Sequence, residues 1–113
     1  MIVHTGTIRY RGNDRLDTTV KSGDRAFAPT WDMVMGLKRG RLSWQQYVEQ
    51  YTALMRHSWK RHNKRWREVL SMDEVVLCCY CRDVNACHRG LLAEMLVACG
   101  KSLGVDVAYR GER

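Results

Sequence analysis

The spacing of apolar side chains along the chain predicts four strands separated by helical segments. Alternating and β-branched apolar residues predict strands at Met1–Tyr10 and Arg15–Val20. A short apolar run predicts a buried strand at Glu74–Cys81, and a last strand is predicted at Val105–Tyr109 after Gly104.

Capping residues and three- or four-residue spacing predict the helices. Thr30 is a candidate N-cap for a short helix that Gly40 ends. Ser43 and Gln46 form a capping-box pattern before a long apolar stripe, which predicts either one long helix or two helices with a bend near residues 61–63. The final helix is predicted at Cys87–Leu103. Strands separated by helices of these lengths favour an α/β fold with a mostly parallel sheet of about four strands and helices packed on it.

Composition narrows the class of protein and its partners. A chain of 113 residues forms one domain, residues 1–113. No run reaches the ~20 apolar residues of a membrane span, and the chain starts without a signal-peptide core, so we expect a cytoplasmic protein with no membrane partner. The five cysteines favour reduced thiols. The formal charge of +7 favours an anionic partner, nucleotide or nucleic acid.

The segment Cys81–Arg89 is the candidate site, because it joins a predicted buried strand to the start of a helix. Backbone N–H groups there and the Arg89 guanidinium would bind a phosphate or carboxylate. The helix end would also lower the pKa of Cys81 or Cys87, which makes these thiols and His88 candidate catalytic groups. Phosphatase chemistry is not favoured, because position 87 is cysteine where that loop has arginine. In the alternative interpretation the cysteines are packing residues and Arg89 pairs with an acid.

A metal site is the less favoured interpretation of the same segment. Cys79, Cys81, Cys87 and His88 offer a thiolate–imidazole set, but only one residue separates the first two cysteines, and zinc sites usually have two to four. Adjacent Cys87 and His88 also point in different directions on a helix. We therefore assign no metal ligand and no cofactor from the sequence.

Two further groups of polar residues are candidates. Asp17 is a candidate acid–base group or a partner for His88 or Arg89, and Arg9 and Lys21 are candidate anion contacts, because all three lie at or just beyond the ends of predicted strands. A surface salt bridge is the alternative for Asp17.

The basic run Arg56–Arg67 carries two tryptophans, a combination typical of single-stranded nucleic-acid contacts. The candidate contacts are Lys60, Arg61, Lys64 and Arg65. In the alternative the tryptophans belong to the core and the cations form a solvated face.

Several segments resemble a bacterial and phage family catalogued as domain of unknown function 488. The segments are TIRY, RLDTTVKSG, FAPTW, VVLCCYC followed five residues later by CHR, and YRGER. The resemblance implies a single compact Rossmann-like α/β domain with a site around the cysteine–histidine–arginine turn, and an association with nucleotides or nucleic acid.

The leading hypothesis is a domain that binds a phosphate-bearing ligand at the Cys81–Arg89 turn, with nucleotide- or base-processing chemistry as an extension. The alternative is a non-catalytic nucleic-acid- or protein-binding module that uses Arg56–Arg67, with the cysteines structural or zinc-binding. The sequence indicates no oligomeric state.

Overall fold

The computed structural model describes residues 1–113 and contains one four-stranded sheet and four α-helices. The strands are β1 (Ile2–Thr7), β2 (Arg15–Asp17), β3 (Glu74–Cys79) and β4 (Ala108–Glu112). The helices are α1 (Trp31–Lys38), α2 (Trp44–Arg61), α3 (Asn63–Leu70) and α4 (His88–Ser102). Every strand pair is parallel, in the order β2-β3-β1-β4. The predicted single α/β domain with a parallel sheet and packed helices is confirmed.

The helices cover one face of the sheet. Val75 and Leu77 of β3 lie in one hydrophobic core with residues of all four helices, whereas the alternate residue Val76 is buried outside that core. The β1–β2 connection contains no helix and lies against Val76, whose N–H donates to the Asp14 carbonyl at 2.8 Å. Because β3 lies between β1 and β2, the loops that follow those two strands flank the loop that follows β3.

The predicted helix starts are confirmed. The Thr30 side chain accepts a hydrogen bond from the Met33 N–H at the start of α1. Ser43 and Gln46 form both hydrogen bonds of the capping box at the start of α2. The predicted bend is also present, because the chain leaves helical geometry at His62, between α2 and α3.

The predicted final strand, Val105–Tyr109, is wrong in position, since β4 spans Ala108–Glu112. The Val105 N–H donates to the Gly100 carbonyl at 2.8 Å and closes the end of α4, so the chain cannot join the sheet at that point. The other three strands end earlier than predicted, β1 at Thr7, β2 at Asp17 and β3 at Cys79.

A buried serine ties α2 to α3 and to the segment before α1. The Ser58 hydroxyl donates to the Ala26 carbonyl and accepts from the Trp66 indole N–H at 3.0 Å. Trp66 is buried and Trp59 packs edge-on against it with ring centroids 5.9 Å apart. The two tryptophans therefore belong to the core, as in the alternative interpretation of the basic run.

We expect Ser58→Ala to lower the free energy of unfolding by about 1–3 kcal/mol, because it leaves the Trp66 N–H and the Ala26 carbonyl buried without a partner. Urea unfolding followed by circular dichroism measures the change. Ser102→Ala is the matched control on an exposed helix end and should change stability by less than about 0.5 kcal/mol. Equal effects of the two substitutions would contradict this role of Ser58.

Candidate functional site

The turn between β3 and α4 brings three thiols together at the carboxyl edge of the sheet. Cys79 is the last residue of β3, and Cys81 follows two residues later. The chain bends at Tyr80, between the two cysteines, and their sulfur atoms lie 3.9 Å apart. Cys87 then caps α4, and the sulfur atoms of all three residues lie within 4.8 Å of one another. We call these three residues the thiol cluster.

The cap geometry explains how Cys87 and His88 face the same point. Cys87 precedes the helix in an extended conformation (φ −142°, ψ 145°), so its side chain is not directed by helical geometry. Its sulfur lies 3.7 Å from Nδ1 of His88, and the Cys79 sulfur lies 3.9 Å from the same nitrogen. Cys79 and Cys87 are buried, whereas Cys81 is exposed.

The hydrogen bonds of His88 determine its tautomer. Its Nε2 atom lies 2.8 Å from the Thr18 carbonyl oxygen, which can only accept, so Nε2 carries the proton. Burial lowers the pKa of His88 to about 4, although the bond to Thr18 opposes this shift. At neutral pH the imidazole is therefore uncharged, and the lone pair of Nδ1 points at the thiol cluster.

The members of the thiol cluster differ in their acidity. Hydrogen bonds from the Cys79 and Cys87 thiols lower the pKa of Cys81 far below its usual range, and the charge of Arg89 acts in the same direction. Donation to Cys81 raises the pKa of Cys79, and donation to both other sulfurs raises the pKa of Cys87. Negative charge in the cluster is therefore concentrated on the exposed sulfur.

The Arg89 guanidinium points into the protein. The side chain has no exposed surface, and its Nε and Nη2 atoms donate to the Glu112 carboxylate of β4 at 3.2 and 2.7 Å. Its Nη1 donates to the Cys81 carbonyl at 2.8 Å and its Nη2 lies 3.4 Å from the Arg82 carbonyl. These hydrogen bonds place Arg89 beneath the turn and use its donors within the protein. The structure therefore agrees with the alternative interpretation, in which Arg89 pairs with an acid.

A family profile described as the active DUF488-N3 subclade matches residues 2–100. This chain belongs to the DUF488 family. The match includes the whole cysteine–histidine–arginine turn of this DUF488 protein and stops before β4. No curated protein and no solved structure matches the chain significantly. None of the helices is both long enough and apolar enough to cross a membrane.

The other residues predicted for the turn of this DUF488 protein lie around it. Asp17 accepts from the Thr19 N–H and the Ser22 hydroxyl in its own loop, and Thr18 rather than Asp17 contacts His88. Arg9 and Lys21 are exposed, in the loops that follow β1 and β2. They form no ion pair in the structure and lie in the loops that flank the β3–α4 turn.

The predicted nucleic-acid contacts lie at the C-terminal end of α2 and on α3. Lys60, Arg61 and Lys64 are exposed and form no ion pair. Arg65 instead bonds to Asp24 at 2.6 Å and to Glu68 at 3.2 Å, so its charge is partly neutralised within the fold.

A small cavity of about 160 Å³ lies beside Cys87. Its wall includes Trp44, Val84, Leu91 and Tyr109, which gives the turn an aromatic and apolar neighbour. Stacked rings continue from Trp44 through Tyr47 to Tyr51, whose ring centroid lies 5.5 Å from that of His88. The site therefore has a recess on the side of α2.

Thr18 and Glu112 are the site residues that the sequence did not reveal. Thr18 contacts Nε2 of His88 with its carbonyl oxygen at 2.8 Å and its hydroxyl at 3.0 Å, and the local sequence pattern indicates neither contact. A buried arginine requires an acid, but the sequence offers several acids and does not select Glu112.

We expect Arg89→Ala to lower the free energy of unfolding by about 2–4 kcal/mol, because it removes a buried partner of Glu112 and two carbonyls and leaves a cavity. Urea unfolding measures the loss. Arg110→Ala, an exposed arginine two residues from Glu112, is the matched control and should change stability by less than about 0.5 kcal/mol. A loss as small as the control's would show that Arg89 does not support the fold.

The same ion pair predicts a pH dependence. Burial raises the pKa of Glu112, but the hydrogen bonds from Arg89 and Thr5 and the charge of Arg89 together outweigh burial and lower it overall. A carboxyl group with a lowered pKa stabilises the folded state above its unfolded pKa of ~4.3, and this contribution is lost as the pH falls through the folded value. Wild type should therefore be more stable than Glu112→Gln at pH 7, and the difference should shrink towards pH 3. A constant difference in urea unfolding across this range would contradict the assignment.

Proposed function

We propose that this DUF488 protein binds a phosphate-bearing ligand, a nucleotide or nucleic acid, over the outer side of the Cys81–Arg89 turn. The observation that carries the proposal is the set of exposed cations at the carboxyl edge of the sheet. Arg9 follows β1, Lys21 follows β2 and Arg82 follows β3, and none of the three forms an ion pair. We call these three residues the rim cations.

The topology supports this placement. The Ile8 N–H donates to the Cys79 carbonyl and the Thr18 N–H to the Cys78 carbonyl, so the loops that carry Arg9 and Lys21 are attached to the end of β3 on both sides. The carboxyl edge of a parallel sheet is the usual position of ligands in α/β proteins. The first turn of α4 adds the positive end of a helix to the same edge.

The recess beside Cys87 supports a ligand that carries a base. Trp44 and Tyr109 in its wall are side chains of the kind on which bases stack, and Asn85 and Glu94 offer polar groups beside them. Cys81 is the exposed member of the thiol cluster, so a bound nucleotide or base would meet this thiol first. Nucleotide- or base-processing chemistry at this thiol is the extension of the proposed binding function.

The test of the proposal is the binding of a labelled single-stranded oligonucleotide, measured by fluorescence anisotropy as a function of salt. The triple variant Arg9→Gln, Lys21→Gln and Arg82→Gln should weaken binding by at least about 10-fold, because it removes three contacts to phosphates. It should also reduce the slope of log K against log salt by about 2. Competition with ATP then distinguishes a nucleotide site from one that requires a polymer.

Two further triple variants complete the design. Lys38, Arg39 and Arg41 are exposed cations near the end of α1, and their replacement by glutamine is the matched control for the loss of three charges. Replacement of Lys60, Arg61 and Lys64 tests the alternative interface on α2 and α3. If only this last variant abolishes binding, the ligand occupies the basic helices; if the control weakens binding as much as the rim variant, the effect is one of net charge alone. Either result would overturn the proposal.

A further inference from the structure

The thiol cluster and the Nδ1 atom of His88 together have the composition of a metal site. Three sulfur atoms and one imidazole nitrogen form a donor set that zinc uses in proteins. Zinc with Zn–S bonds of about 2.3 Å holds its sulfur ligands about 3.8 Å apart in tetrahedral geometry. The Cys79 and Cys81 sulfurs are 3.9 Å apart, and all three sulfurs lie within 4.8 Å.

The imidazole nitrogen lies at a matching distance from two of the three sulfurs. A tetrahedral ion requires about 3.6 Å between a nitrogen and a sulfur ligand, and Nδ1 of His88 lies 3.7 and 3.9 Å from the sulfurs of Cys87 and Cys79. Because Nε2–H donates to the Thr18 carbonyl at 2.8 Å, the ring presents an unprotonated nitrogen to the cluster without rearrangement. A backbone carbonyl on the outer nitrogen is the usual partner of a metal-bound histidine.

The surroundings also suit the charge of such a site. Three thiolates and one divalent ion carry a net charge of −1. The buried guanidinium of Arg89, which donates to the Cys81 carbonyl at 2.8 Å, and the start of α4 provide positive charge beside it. Two of the sulfurs are buried, and the exposed sulfur of Cys81 gives an ion access from solvent.

The structure removes both sequence arguments against zinc. One intervening residue suffices between Cys79 and Cys81, because the chain bends at Tyr80 and the two sulfur atoms lie 3.9 Å apart. The adjacent Cys87 and His88 converge because Cys87 is an extended cap outside the helix. The spacing of two to four residues that is usual between zinc-binding cysteines is therefore not required in this arrangement.

We propose that the thiol cluster and His88 form a binding site for one thiophilic divalent ion of the zinc type. On binding, each ligand sulfur that still carries a proton releases it to solvent, and His88 binds through Nδ1 without losing a proton. No oxidation or reduction accompanies the step. The inference goes beyond the proposed ligand binding, because it concerns a metal ion that would stabilise the β3–α4 turn itself.

The first experiment measures the zinc content of the protein purified under reducing conditions from medium that contains zinc. Wild type should carry about one equivalent. Cys81→Ser should weaken zinc binding by at least about 100-fold in chelator competition, because it removes a ligand without disturbing a buried side chain. Cys99→Ser, the same change outside the cluster, should retain wild-type affinity. The absence of zinc from wild type, or unchanged affinity in Cys81→Ser, would overturn the proposal.

The second experiment titrates metal-free wild type with Co²⁺ and records the visible spectrum, so it needs no variant to fold. Intense sulfur-to-cobalt bands with tetrahedral d–d bands are expected at one equivalent, and their absence would overturn the proposal. Thiol counting excludes the competing state: denatured protein in chelator should yield all five thiols, whereas the loss of two would indicate a disulfide and would also overturn it. The triple variant of the rim cations should keep its zinc, so failure of either proposal is recognised separately.

Discussion

The buried guanidinium of Arg89 is the constraint on which the functional corner depends. Removing an arginine from water costs several kcal/mol unless every donor finds a partner. Glu112 and the carbonyls of Cys81 and Arg82 supply those partners, and they belong to β4 and to the turn. One charge thus holds the first turn of α4, the β3–α4 loop and the last strand in a single arrangement.

This constraint separates polar groups that are paired within the protein from cations that are exposed to solvent. Beneath and within the turn lie groups whose partners come from the protein, with Arg89 paired and the His88 tautomer determined by Thr18. Outside it lie cations whose partners must come from solvent or a ligand, Arg9 and Lys21 among them. An anion that approaches this edge contacts the exposed cations. The internally paired groups, Arg89 and His88, maintain the shape of the surface that the anion contacts.

The sequence predicted the elements whose signals are local. The Ser43–Gln46 capping box and the helix break at His62 need only neighbouring residues, and both are present. The position of β4 was missed, because Ala108–Glu112 is a largely polar edge strand without an apolar alternation, and its place depends on pairing with β1. The spacing of apolar residues therefore does not reveal a strand whose position depends on pairing with a strand distant in the sequence.

The same distinction holds for the site. Cys81, Cys87 and His88 were expected together from their closeness in the chain, and the structure brings them together with Cys79. The interpretation of Arg89 as an anion ligand considered only its position at a helix start. Its carboxylate partner lies 23 residues further along, so only the tertiary structure could reveal that the charge is already paired.

The position of β3 in the middle of the sheet has a consequence for the composition of the turn. Cys78 and Cys79 are neighbours in the chain, yet alternation directs their side chains to opposite faces. A shift of β3 by a single residue would exchange one sulfur for the other and leave the corner with the wrong atom in place. Hydrogen bonding on both flanks, to β1 and to β2, prevents that slip. The identity of the sulfur atoms at the corner is thus decided by the register of the backbone pairing of β3 with its two neighbours.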